Sequence, residues 1–191
     1  EDMNCNQCEQ TAKGGACVKI GTCGKEPDTA ALQDLLIHVL QGVALWANEG
    51  RRVGVVDSAA DLFSVEGVFS TLTNVDFDDS RFASLISEGV GVREGLKKKV
   101  KEAGGSVKFD HPCASFEPAK DLAGLVAQGE GVSLTGGGSE NPDITSLKQI
   151  LLYGLKGLAA YADHAQILGR EDNGVYAFVH EGLAALLRDD L

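Results

Sequence analysis

The chain has 191 residues, of which 43% are hydrophobic and 24% charged. This composition is typical of a globular protein and excludes disordered, collagen-like and mucin-like classes. The formal net charge is −11, so most of the surface would repel a nucleic acid backbone. The longest uncharged apolar-rich run, residues 35–47, is shorter than the roughly 20 residues of a membrane-spanning helix. We expect neither nucleic acid nor a membrane as a partner.

Four of the five cysteines lie close to the start of the chain, in the pattern C-x2-C-x8-C-x5-C; they are Cys5, Cys8, Cys17 and Cys23. Disulfides confined to this terminal segment would constrain almost none of the fold, because a disulfide acts mainly by closing long loops of the unfolded chain. The pattern instead indicates four thiolates directed at one metal centre. Glycines between the cysteines would let the loop turn back on itself.

Two kinds of metal centre compete for these thiolates. A structural zinc ion usually takes two close pairs of cysteines, whereas here the last two are five residues apart. An iron–sulfur cluster is several Å across and accepts ligands spread around it, so the spacing favours a [4Fe-4S] cluster. A [2Fe-2S] cluster, zinc, disulfides and free thiols remain alternatives. Lys13, Lys19 and Lys25 either offset the negative charge of the bound cluster or lie on a solvated loop.

An internal repeat organises the rest of the chain. Residues 32–72 align without a gap with residues 147–187, and the identical positions include glycines and an aspartate as well as leucines. Two amphipathic helices would share leucines by chance, but not the pairs Gly54/Gly169 and Asp57/Asp172. The alignment therefore predicts two copies of one supersecondary unit.

Each copy is predicted to be a helical hairpin. In the first, Pro27 and Asp28 begin a helix that ends near residues 48–50, and Asp57 or Ser58 begins a second helix that runs to about residue 72. A third helix follows from about residue 79 to Gly104, and a shorter one covers 119–128. The second hairpin repeats the first from Pro142. A Gly-rich stretch at 129–140 is predicted to be a linker.

The predicted fold class is all-α, with two three-helix bundles that arise from an internal duplication and follow a cysteine-rich loop. The predicted boundaries are 1–27 for the loop, 28–104 for the first bundle, 105–141 for a short helix and linker, and 142–191 for the second bundle. Trp46 and Tyr161 are predicted to be equivalent core aromatics. Glu66 and Glu181 are predicted to share a buried hydrogen bond or a helix contact, and Cys113 is predicted to be a free thiol in a loop.

Several motifs together resemble the N-terminal helical domain of hybrid cluster proteins, also called prismane proteins or hydroxylamine reductases. They are Cys5-Asn-Gln-Cys8-Glu-Gln-Thr-Ala, Cys17, Cys23-Gly-Lys25, Phe69-Ser-Thr-Leu-Thr-Asn-Val75, Leu152-Tyr-Gly-Leu-Lys-Gly157, Tyr161, His164 and Asp172-Asn173. The resemblance covers nearly the whole chain. Its cysteine spacing is similar to the branch of the family that carries a [4Fe-4S] cluster here, whereas the [2Fe-2S] branch has longer gaps.

The resemblance implies an electron-transfer domain. Family members are much longer and reduce hydroxylamine, or nitric oxide in some members, at a hybrid iron–sulfur–oxygen cluster in later domains, whose ligand motifs this sequence lacks. We therefore expect a truncated or miniaturised form that is not catalytic alone. Its expected partner is a redox protein or the missing catalytic domains, in a reducing compartment, either the cytoplasm or an organelle stroma. The alternative is a structural or interaction domain in which the metal only stabilises the fold.

Overall fold

The computed structural model describes residues 3–11, 15–132, 134, 141–188 and 190. This part of the chain contains a short 3-10 helix at Pro112–Ser115 and six α-helices: α1 (Pro27–Arg52), α2 (Ser58–Ser70), α3 (Asp79–Glu102), α4 (Leu122–Glu130), α5 (Pro142–Ile167) and α6 (Asn173–Ala185). Within these described ranges the only extended pairing is an isolated bridge between Cys5 and Cys17. The all-α prediction is confirmed.

The two hairpins repeat in structure as they do in sequence. Helices α1 and α5 have 26 residues each, α2 and α6 have 13 each, and each pair is separated by 115 positions. Asp57 and Asp172 cap the second helix of their copies by accepting backbone N–H groups two and three residues ahead. Gly54 and Gly169 both adopt a positive φ, of 81° and 70°, in the connection between the helices.

Glycines inside the helices allow close packing. A Cβ on Gly67 would lie 3.0 Å from the Leu40 side chain, and a Cβ on the equivalent Gly182 would lie 2.7 Å from the equivalent Leu155. Close approach of two helices therefore explains the repeated pair Gly67/Gly182, whereas a Cβ on Gly157 would have no neighbour within 4 Å. A Cβ on Gly42 would lie only 2.2 Å from the Cys113 carbonyl oxygen, so α1 contacts the 3-10 helix backbone directly at this point.

The hairpins pack reciprocally, since α1 lies against α6 of the other copy and α5 lies against α2. Helix α1 also contacts α2, α3 and α4, which makes it the central helix of the fold. It is the one helix in the described chain long and apolar enough to cross a bilayer, but 89% of its most apolar window is buried in the protein. Its composition is thus that of a core helix.

The second copy differs from the first in two respects that the sequence analysis did not predict. Residues 142–188 contain two helices, not three, and the exact domain boundaries remain a prediction. Tyr161 is 80% exposed, whereas its counterpart Trp46 is 4% exposed and packs edge-on against Phe109. The prediction that both aromatics are core residues is therefore wrong for Tyr161. The predicted buried hydrogen bond of Glu66 and Glu181 is also wrong, since both residues are exposed.

A buried polar network joins α1, α2 and α6 around His180. The hydroxyl of Ser64 donates to the Ala60 carbonyl, so it accepts from His180 Nε2 at 2.8 Å. Nδ1 of His180 therefore accepts from Arg51 at 3.1 Å, and Arg51 also donates to Asp61 at 2.7 Å. These partners fix a neutral ring with its proton on Nε2. Burial, aided by the charge of Arg51, lowers the pKa of His180 to about 3.

Acidification is expected to destabilise the chain through its buried histidines. Burial also lowers the pKa of His38 to about 4. Below pH 6.5, His38 and His180 therefore bind protons in the unfolded chain but stay neutral in the folded chain. Burial raises the pKa of Asp34 to about 6, so on acidification Asp34 binds a proton in the folded chain before it does in the unfolded chain. This offsets part of the loss of stability caused by the histidines. We expect the free energy of unfolding, measured with denaturant on the reduced, metal-free chain, to fall by about 2 to 3 kcal/mol between pH 7 and pH 5.

The same experiment has a site-specific readout. Nitrogen chemical shifts of His180 should report a neutral ring protonated at Nε2 throughout this pH range. A ring of His180 that gains its second proton near pH 6 while the chain stays folded would contradict the assigned network.

Candidate metal centre

The four clustered cysteines line one pocket beside the N-terminal end of α1, together with Thr73 from the α2–α3 connection. The backbones of Cys5 and Cys17 pair by two hydrogen bonds of 3.0 and 2.9 Å, which brings the two halves of the loop together. Both residues are buried, and with Met3 they pack on Ala30 of α1. Cys8 and Cys23 are half-buried, so the pocket has a protein side and a side nearer to solvent.

Glycines shape the loop around the sulfur atoms. A Cβ on Gly21 would lie 3.0 Å from Cys23 Sγ, so any larger residue there would press on the sulfur. Gly24 has a φ of +87°, and its turn leads the chain from Cys23 into α1. Of the three interleaved lysines, Lys19 is exposed and Lys25 is buried. Lys13 lies outside the described residues.

The thiols are joined neither by disulfides nor by contacts short enough for a single ion. No disulfide links any of the five cysteines, all of which lie in described segments. Within the described residues, no group of three or more His, Cys, Asp or Glu side chains is compact enough to hold one metal ion. A tetrahedral zinc site needs its sulfurs about 2.3 Å from a common centre. Four cysteines that line one pocket match the ligand number of a thiolate-bound metal centre.

A buried polar network, which the sequence analysis did not predict, anchors the loop to α1. Lys25 is 2% exposed, and its ammonium donates to Gln7 Oε1 at 2.5 Å and to Gln33 Oε1. The amide of Gln7 donates to Asp34 Oδ1 at 2.7 Å and to the Ala30 carbonyl at 2.8 Å. Gln7 lies between Cys5 and Cys8 in the chain. Its side chain therefore fixes the position of the loop that carries both thiols.

A second buried ammonium lies near the pocket. Lys156 of α5 donates to the Thr71 carbonyl at 3.2 Å, and burial lowers its pKa to about 8. The positive charge of Lys25 lowers this pKa further, whereas the charges of Asp34 and of the Cys5 and Cys8 thiolates raise it. Two cations and one carboxylate therefore act electrostatically on the thiols of the pocket. Burial raises the pKa of the Cys5 thiol, and the positive charge of Lys25 offsets part of that rise.

Replacement of Gln7 by leucine should loosen the loop. The variant removes one acceptor from buried Lys25 and the donor to Asp34, and a hydrogen bond to a charged group contributes about 1.5 to 3 kcal/mol. We expect the free energy of unfolding of the reduced, metal-free chain to fall by about 2 to 3 kcal/mol in a denaturant titration. Gln10→Leu is the matched control, since Gln10 is an exposed residue of the same loop. Equal stabilities of the two variants would refute the anchoring role of Gln7.

Two other polar clusters are poor candidates for chemistry. The set Asp61, His180 and Ser64 has the residue types of a hydrolase triad, but all three side chains are at most 2% exposed. No substrate reaches the Ser64 hydroxyl, so this set is structural.

The second cluster contains Cys113, which is fully buried in the 3-10 helix and whose Sγ lies 3.1 Å from His111 Nδ1. Burial raises the pKa of its thiol to about 12, which makes it inert, and its predicted position in a loop is wrong.

The profile of the Prismane/CO dehydrogenase family matches residues 3–191, nearly the whole chain. The chain belongs to this family.

Relatives named hydroxylamine reductase are similar to nearly the whole of this chain. A hydroxylamine reductase of Syntrophobacter fumaroxidans is 59% identical over 189 residues, which cover 99% of this chain and 35% of the relative. Hydroxylamine reductases of Methanocella arvoryzae and Geobacter sulfurreducens are 50% and 44% identical, over 35% and 34% of their lengths. The chain thus spans about a third of the relatives it matches and corresponds to their N-terminal part.

Proposed function

We propose that Cys5, Cys8, Cys17 and Cys23 bind one iron–sulfur cluster, and that the chain is the electron-transfer segment of a hydroxylamine reductase of the prismane family. The arrangement of all four thiols around a single pocket carries this proposal. The names of the relatives support the activity of the whole protein, and hydroxylamine is then its substrate. The remaining two-thirds of the protein would supply the catalytic centre and receive the electrons.

The cluster we propose is [4Fe-4S]. The spacing C-x2-C-x8-C-x5-C, without a second close pair of cysteines, favours a polynuclear centre over one zinc ion. Cys5 and Cys17 would hold its buried side, and Cys8 and Cys23 the side nearer to solvent. A bound cluster supplies one-electron redox chemistry whose potential depends on its net charge, hydrogen bonds and solvent exposure.

The chain's own residues contribute orientation and charge. Gln7 and Lys25 fix the loop on α1, and Tyr153 adds a hydrogen bond of 2.9 Å to the carbonyl of Asn6. Lys25 and Lys156 are buried and interact electrostatically with the cysteines of the pocket. The half-buried side is where we expect a redox partner to dock, because electron transfer is faster over shorter distances. Reduced thiolates of this kind imply a reducing compartment.

Anaerobic redox spectroscopy tests this function. The purified chain should be brown, contain four iron and four sulfide per chain, lose visible absorption with dithionite, and regain it when an electron acceptor is added. Two iron and two sulfide would overturn the [4Fe-4S] assignment alone. A colourless chain with one zinc would overturn the electron-transfer function.

The second candidate function is structural: the metal centre would only stabilise the fold by holding the N-terminal loop on the helices, a role that we call the clip. It is favoured by the number of loop contacts that join the pocket to α1 and α5, including those of Gln7 and Tyr153. The Cys8→Ser variant separates the two functions. A variant that stays helical and folded but loses colour and reducibility supports electron transfer, and one that unfolds supports the clip.

A further inference from the structure

Lys156 of α5 is a buried cation without an ionic partner in the part of the chain that the structure describes. It is 2% exposed, and its ammonium donates a hydrogen bond to the neutral carbonyl of Thr71 at 3.2 Å. No carboxylate of the described residues lies within ion-pair distance of this ammonium. The removal of a charge from water is costly unless an opposite charge or several hydrogen bonds compensate it. The described residues alone provide little such compensation for Lys156.

The charged groups around Lys156 leave this buried region net positive. Burial lowers the pKa of Lys156 to about 8, and the Asp34 carboxylate opposes this shift without a direct hydrogen bond to the ammonium. Oδ1 of Asp34 accepts instead from Gln7 at 2.7 Å. The second buried ammonium, that of Lys25, donates to the neutral side-chain amides of Gln7 and Gln33. Two ammonium groups therefore share one carboxylate.

Two hydrogen bonds of α5 place Lys156 beside the cysteine pocket. Its acceptor Thr71 lies two residues before Thr73, which lines the pocket. One turn earlier on α5, the Tyr153 hydroxyl donates at 2.9 Å to the carbonyl of Asn6, which lies between the first two cysteines of the motif. Negative charge on these two cysteines opposes the effect of burial on the pKa of Lys156. The ammonium is thus within electrostatic range of the thiols.

The internal repeat shows that the helical hairpin does not require a cation at this position. At the offset between the copies, the counterpart of Lys156 is Gln41 of α1, which is 1% exposed. The position is therefore buried in both hairpins, and a neutral amide side chain occupies it in the first. The charge of Lys156 is thus separable from the packing of its side chain.

We propose that Lys156 is the buried countercharge of the cluster and raises its reduction potential, an inference that rests on the proposed function. Reduction adds one electron from the donor, and hence one negative charge, to a centre that already carries four thiolates, and it neither forms nor breaks a bond. A nearby fixed cation stabilises the added charge and so favours the reduced state. Lys156→Gln, which introduces the residue of the first copy, should lower the equilibrium constant for reduction about tenfold, or about 59 mV for one electron.

A redox titration of the anaerobically purified chain measures this shift at pH 7, with mediator dyes and visible absorption. Lys156→Gln and a second neutral variant, Lys156→Met, should both have a lower potential than the parent chain. Lys98→Gln is the matched control, since it removes the same charge from a side chain of α3 that is 78% exposed. Water and salt screen a charge at such a site, so the potential of this variant should equal that of the parent.

The outcomes separate this inference from the proposed function. Equal potentials of the parent and the cluster-loaded Lys156 variants would overturn the inference alone, and so would an equal fall of the potential in Lys98→Gln. A parent chain that binds no iron would overturn both. If the neutral variants fold but bind no cluster, Lys156→Arg should still bind it because it keeps the charge, and its failure to do so would overturn the inference.

Discussion

Replacement of Cys17 by serine should abolish cluster binding. Cys17 is 4% exposed, and its backbone pairs with Cys5 through two hydrogen bonds that serine can also make. The variant therefore keeps the loop but loses the thiolate, which is the ligand that iron requires. We expect iron and sulfide in the anaerobically purified variant to fall from four per chain to near zero, measured by colorimetric assays.

Cys113→Ser is the control for this loss. Cys113 is also fully buried but lies in the 3-10 helix, outside the pocket that the other four cysteines line. This variant should retain the full iron and sulfide content. Loss of iron in Cys113→Ser, or its retention in Cys17→Ser, would show that the four N-terminal thiols are not the ligand set.

Replacement of Gly42 by alanine should cause a large loss of stability. The added Cβ would lie 2.2 Å from the Cys113 carbonyl oxygen, so α1 and the 3-10 helix would have to move apart. The Cys113 carbonyl oxygen belongs to the backbone of the 3-10 helix, so it cannot move aside as the end of a flexible side chain would. We expect the free energy of unfolding to fall by about 2 to 4 kcal/mol in a denaturant titration.

The equivalent glycine of the second hairpin provides the control for Gly42→Ala. Gly157 occupies the same position of the second hairpin, and a Cβ there has no neighbour within 4 Å. Gly157→Ala should therefore stabilise the chain by up to about 1 kcal/mol, because alanine favours a helix interior over glycine. Equal effects of the two substitutions would contradict the packing described for α1.

The helices could be predicted from the sequence because their signals are local. Pro27 and Pro142 at the first helical position and Asp57 and Asp172 as caps set where the four repeated helices begin. The apolar period also predicts the buried face of α3, whereas on α5 the apolar residues Leu147, Ile150 and Tyr161 are exposed. The third helix was also predictable, and it begins at Asp79 with Asp78 as its capping residue.

Burial could not be read from the repeat. Identical or similar residues in two copies predict identical environments, yet Tyr161 and Trp46 differ because α3 packs on only one of the two hairpins. Burial depends on the neighbouring element, and nothing in the sequence of α5 reports whether that neighbour is present. The same reason explains why Gly42 is crowded and Gly157 is open.

The cysteines of the candidate site could be predicted, but the polar residues around them could not. The spacing of the four thiols is a strong local pattern, whereas no spacing rule assigns Gln7, Asp34 or Lys156 to the site. Lys156 lies in a different helix, more than a hundred residues away from the cysteines, and tertiary packing alone brings it near the pocket. Lys25 was considered as a countercharge, and its burial favours that interpretation over a solvated loop.

The most direct test of the account is native mass spectrometry of the anaerobically purified chain. We predict one species whose mass exceeds that of the polypeptide by four iron and four sulfide, and whose excess mass is absent in Cys17→Ser. A chain that carries one zinc ion, or one that is two or four mass units lighter because its N-terminal cysteines are paired in disulfides, would contradict the central claim that these four sulfurs share one iron–sulfur core.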